Sequence, residues 1–545
     1  MTVPRHSLFL VLHFATALVL FCMAGHAAAS PQVGEDTLVY SWPSNVGPLN
    51  PHQYSPNQMF GQAMVYEPLV KYQADGSVKP WLADSWEVSE DGRVYTFQLR
   101  EDVTFSDGVP FTAEAVKRNL DAVLANHRGH YWLELVNQLH MVNEAGGQAV
   151  KVLGEHSVQL TLHEPYYPIL QELALIRPVR FLSPAAFPED GDTSEGIAAP
   201  VGTGPWKVVE LVKGEYDLFV RNENYWGDKP RMKRLLIKVI PDSNARAVAF
   251  ETGDIDLIYG SGGHGGGQLG LDMFQLYQNR ADVTARVSPP LATRAMALNS
   301  NRFPTGELAV RRAILHAVNK PALVKHVFLG VEQQADTLFA PSMPYCDIGL
   351  EPYGYDPARA ERLLEDAGWT LDEGEEYRTR NGKVLALDLC FVGNDAIMKS
   401  VAEVVQGNLG RVGVKVTLVG EESDSFLVRQ KNGRFGMIFG NTWGPPYDPH
   451  SFCSSMRVPS HADYQAQLGL PMKEEIDAKI GRVLVTVDEA ERSGLYADIL
   501  GTLHEQAVYL PLTYMTSIMV HRDDLEGASF GATKNEIPFS PMHKR

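Results

Sequence analysis

The sequence predicts a mixed α/β fold with two or three domains, and three observations support this prediction. The chain has 545 residues, and a typical domain contains roughly 100 to 200. Stretches with strand-like alternation and stretches with helical periodicity follow one another along the chain, as in α/β proteins. Hydrophobic residues make up 44% of the chain, which is enough for a large core. A fibrous or disordered chain is therefore excluded.

The charge balance excludes one class of partner. The formal net charge is −18 at pH 7. Electrostatic binding to nucleic acid or to anionic lipid requires clustered Lys and Arg side chains. We therefore expect no nucleic-acid partner.

The first 29 residues have the pattern of a secretory signal peptide. Arg5 precedes an apolar stretch over residues 8–24, and the alanines at 27–29 are the small residues that a signal peptidase recognises. We predict cleavage after Ala29 and export of the mature protein. An uncleaved membrane anchor is the alternative.

Two parts of the chain show helical and strand-like patterns in succession. In the first part, residues 235–240 predict a strand, 244–251 a helix and 254–258 the next strand. In the second part, helical spacing over 397–409 is followed by strand-like alternation over 414–418. The first part is interpreted as a βαβ unit, and the second implies another α/β region.

A long helix is predicted near the C-terminus. Residues 489–507 place the apolar Leu495, Ile499 and Leu503 on one face. The following residues, 508–512, are typical of a strand.

Motifs typical of enzymes are missing from the sequence. We find no His-Glu-x-x-His zinc motif, no Gly-x-Ser-x-Gly elbow and no phosphate-binding glycine loop. Cys346, Cys390 and Cys453 have no metal-ligand spacing. The sequence therefore favours a binding protein, although a catalytic site can also assemble from distant segments.

Several short motifs resemble those of the peptide- and nickel-binding family of extracytoplasmic solute-binding proteins, family 5. The resemblance implies an α/β, two-lobed periplasmic-binding-protein-like fold of the large class II type, with the ligand cleft between the lobes. The motifs that carry it are residues 66–70, 75–83, 91–97, 202–206 and 221–226.

The same resemblance implies a division of the chain. Residues 1–29 are assigned to the signal peptide. Residues 30–288 form lobe I, which residues 514–545 complete, and residues 289–513 form lobe II.

A second group of motifs is similar to the family members that bind nickel complexes. The resemblance implies a periplasmic monomer that captures nickel as a complex with a small organic chelator, free histidine or a polycarboxylate. It further implies delivery to the nickel permease of an inner-membrane ABC importer, with a chemoreceptor as another candidate partner. These motifs are residues 45–52, 55–60, 132–135, 166–178, 442–444, 447–450 and 457–463.

The resemblance also assigns the site residues. His461 matches a histidine that binds nickel directly, and neutral imidazole is a suitable ligand for Ni²⁺. Arg177 matches an arginine that binds the chelator, and a guanidinium can donate two parallel hydrogen bonds to a carboxylate. The residues that match the pocket wall are Tyr54, Met59, Trp132, Trp443 and Tyr447.

Two positions depart from the family pattern. The family has a second arginine three residues before the position of Trp132, where this chain has Gly129, and the adjacent Arg128 is the candidate substitute. Asn535 stands where the family has a threonine. Loss of a cationic contact favours a less anionic cargo, such as nickel bound by two free histidines.

Further potential ligands lie near these motifs. We expect His52, His127, His130 and His450 to be structural or solvated, with His52 and His450 as the strongest candidates for accessory ligands. Cys453 could bind a soft metal as a thiolate, but a buried, inert thiol is the favoured interpretation.

Two alternative functions stay open at this point. Relatives in the family bind dipeptides, oligopeptides or haem. A protein of a different class, a secreted metal-dependent hydrolase, could use His461 together with Asp448 or Asp463.

Overall fold

Strands and helices alternate along the chain, as the sequence predicts. The computed structural model describes residues 34–261 and 267–545, so the predicted signal peptide lies outside the described residues. Within the described part, no helix combines the length and the apolar character that a membrane span requires.

The strands are numbered in chain order. They are β1 (Thr37–Trp42), β2 (Val70–Tyr72), β3 (Val78–Pro80), β4 (Ala83–Val88), β5 (Val94–Leu99), β6 (Val150–Gly154), β7 (Ser157–Thr161), β8 (Trp206–Val212), β9 (Tyr216–Arg221), β10 (Arg234–Val239), β11 (Leu257–Ser261), β12 (Val283–Val287), β13 (Ala292–Leu298), β14 (Gln333–Gln334), β15 (Thr379–Arg380), β16 (Lys383–Val384), β17 (Ala386–Val392), β18 (Lys415–Glu421), β19 (Met437–Phe439), β20 (Tyr509–Met515), β21 (Ser517–Arg522), β22 (Leu525–Glu526) and β23 (His543–Lys544).

The helices are numbered in the same way. They are α1 (Met59–Val65), α2 (Ala113–Ala125), α3 (Glu134–Glu144), α4 (Ile169–Leu173), α5 (Ser243–Thr252), α6 (Leu271–Gln278), α7 (Leu308–Ala317), α8 (Lys320–His326), α9 (Pro357–Asp366), α10 (Ala396–Arg411), α11 (Ser423–Lys431), α12 (His450–Ser455), α13 (Ala462–Gln467), α14 (Lys473–Val485) and α15 (Glu489–Glu505), with short 3₁₀ helices at His127–Gly129 and Pro184–Ala186.

Four sheets carry most of the strands. Two are four-stranded, with the orders β1-β10-β9-β8 and β4-β5-β7-β6. A three-stranded sheet has the order β11-β21-β12, and a six-stranded sheet has the order β14-β20-β13-β19-β17-β18. Non-neighbouring parts of the chain therefore meet in these sheets.

The second predicted α/β region is confirmed. Strands β17 and β18 pair in parallel, with Leu387 opposite Val416, and α10 connects them. The C-terminal helix and strand are also confirmed as α15 and β20.

The first predicted βαβ region is only partly correct. The strand, the helix and the next strand are present as β10, α5 and β11. However, β10 pairs with β1 and β9, whereas β11 pairs with β21. The prediction of one βαβ unit is therefore wrong, because sheet pairing depends on partners far away in sequence.

The chain passes from one sheet to another at two places. Strands β12 and β13 belong to different sheets and are separated by residues 288–291. Strands β20 and β21 also belong to different sheets, and only Thr516 separates them. Both places lie close to the predicted lobe boundaries, which remain a prediction.

The sheet that contains β1 and β10 is buried on both faces. Leu38 and Tyr40 pack into one apolar cluster, while Val39 between them packs into another. Paired with them, Leu235 and Leu236 divide between the same two clusters. Alternation along a strand sends successive side chains to opposite faces, so these apolar runs require cover on both sides.

Glu67, in one of the family motifs, joins three other motif segments. Its buried carboxylate accepts hydrogen bonds from Trp81 Nε1 at 2.8 Å, Thr203 Oγ1 at 2.9 Å, Tyr225 OH at 2.7 Å and Trp226 Nε1 at 2.9 Å. Burial raises the pKa of Glu67, and the four donors oppose that rise. The motif residues thus form one polar network.

The glycines beside Thr203 allow this network to close. A Cβ atom at Gly202 would lie 2.1 Å from the carbonyl oxygen of Val65, and one at Gly204 would lie 2.5 Å from that of Met64. The Gly204 amide donates a hydrogen bond to the Val65 carbonyl at 2.9 Å. Only glycine permits this close approach to the end of α1.

We expect Glu67→Ala to lower the free energy of unfolding by about 3 kcal/mol, because four donors, one buried and three half-buried, lose their acceptor. A fall in the melting temperature measured by differential scanning calorimetry checks this. Glu87 is exposed on β4 and serves as the control, since Glu87→Ala should leave the melting temperature nearly unchanged. Equal melting temperatures for the two variants would contradict the role of the network.

Candidate functional site

A cavity of about 980 Å³ brings together all the predicted site residues except Arg128. Its lining comes from chain segments on both sides of the predicted lobe boundary at 288. The predicted residues that line it are Tyr54, Met59, Trp132, Arg177, Trp443, Tyr447, His461 and Asn535.

His461 lies directly before α13, and its imidazole faces this cavity. The ring packs beside Trp443, with 6.0 Å between the ring centroids. Its two nitrogens make no hydrogen bond to any residue that the structure describes. Burial lowers the pKa of His461, so that the ring is neutral at pH 7. A neutral, unpartnered imidazole is available for a metal.

Asp463, two residues later, also lines the cavity. Its buried carboxylate accepts a hydrogen bond from Tyr509 OH at 2.9 Å. Burial raises the pKa of Asp463, while Tyr509 and His461 oppose the rise. Sequence analysis named Asp463 only for the hydrolase alternative, so its place in the cavity is a new observation.

Arg177 presents part of its guanidinium to the cavity. Its Nη1 donates to the backbone carbonyls of Tyr54 and, at 3.1 Å, Asn57, whereas its buried Nε has no partner. In the described part of the chain, no carboxylate lies within 4 Å of it. Arg177 therefore forms no salt bridge with the described residues, and its side chain can accept an anionic ligand.

The aromatic wall is held by its own hydrogen bonds. Trp132 Nε1 donates to Tyr54 OH at 2.8 Å, and Tyr54 OH is 2.7 Å from His130 Nδ1. Tyr447 stands 6.0 Å from Trp132 and 6.1 Å from Trp443, measured between ring centroids. These contacts fix the aromatic wall beside the polar groups of the cavity.

Lys534 is a cavity residue that sequence analysis missed. It immediately precedes Asn535, in the loop between β22 and β23. Its position next to a residue already assigned to the site was the signal that could have found it.

A family model described as "Bacterial extracellular solute-binding proteins, family 5 Middle" matches residues 77–464. The chain belongs to this family.

Known relatives agree with this assignment. The chain is 52% identical to the "Nickel-binding periplasmic protein" of Escherichia coli K12, over 99% of this chain and 98% of the relative. It is 25% identical to the "Dipeptide-binding protein" of the same organism, over 94% and 95% of the two chains. The solved structure of NikA from Brucella suis in complex with Fe(III)-EDTA superimposes with a TM-score of 0.89, at 55% identity, over 93% of this chain and 100% of that chain.

As a family 5 solute-binding protein, the chain has the predicted two-lobed α/β fold with the ligand cleft between the lobes. The 980 Å³ cavity is the candidate for that cleft. Members of this family bind solutes, so the family does not support the hydrolase alternative.

Arg128 does not reach the cavity. It is exposed in the 3₁₀ helix His127–Gly129 and is absent from the cavity lining. Its side chain is exposed to solvent, and its substitution for the arginine that is missing at Gly129 stays a prediction.

The other candidate ligands are structural groups in the described chain. His52 is buried between Thr193 Oγ1 at 2.9 Å and Asn119 Oδ1 at 3.0 Å, with its pKa lowered to about 4 by burial. Burial also lowers the pKa of His450 to about 3. Neither lines the cavity. Cys453 is a buried free thiol, as expected, and burial raises its pKa.

The geometry also gives no support to a metal-dependent hydrolase. Among the described residues, no group of three or more His, Cys, Asp or Glu side chains could hold a metal ion. The Asp448 carboxylate accepts hydrogen bonds from the backbone amides of Trp443, at 3.2 Å, and Gly444, at 2.8 Å. It therefore fixes the turn that carries Trp443.

A buried acid, Glu172, lies behind the aromatic wall. Its carboxyl group accepts hydrogen bonds from Leu135 N and Tyr166 OH, both at 2.8 Å, and from Ser451 Oγ at 3.4 Å. Burial raises its pKa to about 8, which the negative charge of Glu134 reinforces. Glu172 thus links residues on either side of the predicted lobe boundary.

We expect Glu172 to make the protein less stable as the pH rises. Its folded pKa of about 8 exceeds the ordinary glutamate value of 4.5, so the folded state binds the proton more tightly. This stabilisation is fully present below pH 4.5 and is lost by up to about 1.4 kcal/mol per pH unit as the pH rises through 8. Melting temperatures of the wild type and of Glu172→Gln between about pH 5 and 9 measure the effect.

The Gln variant should show a flatter pH profile than the wild type. Glu189 is exposed, and Glu189→Gln should keep the wild-type profile. Parallel profiles for the wild type and Glu172→Gln would show that Glu172 does not titrate in this range.

Proposed function

We propose that the protein captures a chelated nickel ion in the periplasm and delivers it to the permease of an ABC importer. The observation that carries this proposal is the unpartnered imidazole of His461 in the same cavity as the exposed part of the Arg177 guanidinium. The 52% identity to a nickel-binding periplasmic protein supports it. Export through cleavage after Ala29 belongs to the same proposal.

The two groups have separate tasks in the proposed mechanism. His461 donates one neutral nitrogen ligand to Ni²⁺, whereas the remaining coordination positions belong to the chelator. Arg177 binds a carboxylate of that chelator through charge-assisted hydrogen bonds. The aromatic wall lowers the local dielectric and strengthens both contacts.

The proposed lobes supply the conformational step. The changes of sheet between β12 and β13 and between β20 and β21 support lobe boundaries close to 288 and 514. A ligand favours the closed form only through contacts that the open form lacks. His461 and Arg177 come from different proposed lobes, so a complex that touches both stabilises closure. The permease then receives the loaded form, which is also the candidate signal for a chemoreceptor.

The experiment that tests this function measures binding and turnover together. Protein prepared without added metal is titrated with Ni²⁺ alone, with nickel–EDTA, with nickel and L-histidine, and with a dipeptide. We expect 1:1 binding of a nickel chelate. Binding of the dipeptide alone would favour the peptide-binding alternative, and sustained hydrolysis of ester, peptide or phosphate substrates would favour an enzyme.

We expect His461→Ala to weaken the binding of nickel with L-histidine by about 10- to 100-fold, because the complex loses its single protein ligand. The melting temperature of the empty protein should not fall, since the imidazole has no partner there. Isothermal titration calorimetry and thermal melts measure the two effects.

His326, exposed at the end of α8, provides the matched control. His326→Ala should keep wild-type affinity. If His461→Ala also kept it, the assignment of His461 as a metal ligand would be wrong.

A further inference from the structure

We propose that Lys534 is a second cationic anchor in the cavity, which binds a carboxylate of an anionic metal chelate. This inference rests on the proposed function and specifies the class of cargo. It replaces the expectation of a less anionic complex, which followed from the missing arginine at Gly129.

The first argument is the position of Lys534. It lines the same cavity as Arg177, His461 and its own neighbour Asn535. The side chain is only half-buried, so a ligand in the cavity can reach it. It comes from the loop before β23, whereas Gly129 ends a 3₁₀ helix far earlier in the chain. Lys534 therefore supplies a positive charge to the cavity from a different segment than the one that contains Gly129.

The second argument is the lack of a partner. In the described part of the chain, Lys534 forms no hydrogen bond and no ion pair within 4 Å. Burial lowers the pKa of Lys534, and the nearby Asp448 raises it only in part. An ammonium group that no protein acceptor engages and that faces the cavity is free to bind a ligand carboxylate. A ligand carboxylate would supply the missing contact.

The third argument is the charge of the cavity. Of its described lining residues, the ionisable Lys, Arg, His, Asp and Glu side chains are Arg177, Lys534, His461 and Asp463. Two cations, those of Arg177 and Lys534, line the cavity with one carboxylate, that of Asp463, while the Asp448 carboxylate lies near Lys534 outside the lining. The lining thus carries two basic side chains in a chain whose formal net charge is −18. Such a cavity attracts and retains anions.

These observations indicate the kind of chelator. Arg177 can bind one carboxylate with its planar guanidinium, and the ammonium of Lys534 acts as a point charge on another. A chelator with at least two carboxylates besides those on the metal, or a complex with a net negative charge, uses both cations. A neutral complex of nickel with two histidines gains much less binding energy from Lys534.

The test compares two cargoes of different charge. Wild type and Lys534→Met are titrated calorimetrically with nickel–EDTA, a dianion, and with the neutral complex of nickel and two L-histidine molecules. We expect Lys534→Met to weaken nickel–EDTA binding by about 10- to 100-fold, as for the loss of one charge-assisted hydrogen bond. Binding of the neutral complex should change less than about threefold.

Three controls accompany this comparison. Lys534→Arg should restore most of the affinity for nickel–EDTA. Lys213→Met removes one exposed cation from the turn between β8 and β9, outside the cavity, and should have little effect on either cargo. The melting temperature of empty Lys534→Met should equal or exceed that of the wild type, because an unpartnered ammonium is removed.

The possible failures can be told apart. If the wild type binds neither chelate, the proposed function is wrong. If the wild type binds nickel–EDTA and Lys534→Met binds it equally well, only the role of Lys534 is wrong. An equal loss of affinity for both cargoes would likewise overturn the charge-based role.

Discussion

The buried carboxylate of Glu67 connects four segments of the chain, and the position of helix α1 beside the cavity depends on this connection. Removing a charged group from water is unfavourable, and it is tolerated at this position because four donors from three separate segments point at the two oxygens. The same network brings Gly202 and Gly204 against the end of α1. Helix α1 in turn begins at Met59, which lines the cavity. The motif segments 66–70, 75–83, 202–206 and 221–226 thus form a structural network outside the cavity, whereas the second group of motifs supplies cavity residues such as His461.

The candidate site recognises the metal and the organic chelator around it with different side chains. One imidazole faces the cavity without a partner, while the cations and aromatic rings are suited to the organic part of a complex. A metal held by many protein ligands would leave slowly, and transport requires that the cargo leave. Placing most of the contacts on the chelator gives affinity through groups that separate again when the cleft opens.

The sequence predicted the helices well, because helical periodicity is a local property. Helices α5, α10 and α15 all lie where the spacing placed them. The pairing of β10 and β11 could not be predicted in the same way, since each strand pairs with a partner that is distant along the chain. The local sequence pattern therefore predicts where helices and strands lie, but not the sheets to which the strands belong.

The candidate site shows the same limit. Residues within the recognised motifs, such as Trp132 and His461, do line one cavity. Arg128 was proposed because it is adjacent in sequence to Gly129, yet a single step along a 3₁₀ helix turns a side chain away. Lys534 was missed because the cation is supplied from another segment, and only the folded chain brings that segment near. Adjacency in sequence is a poor guide where the backbone is irregular.

The passage from β20 to β21 through Thr516 alone has a mechanical consequence. The residue is buried, and its hydroxyl group donates a hydrogen bond to the Val331 carbonyl at 3.2 Å. A tether this short leaves no slack for sliding, and together with the second crossing at residues 288–291 it favours rotation of the two proposed lobes about a nearly fixed axis. Rotation about one axis brings the facing surfaces of the two proposed lobes back to the same alignment each time. Each round of closure then leads to the same closed geometry.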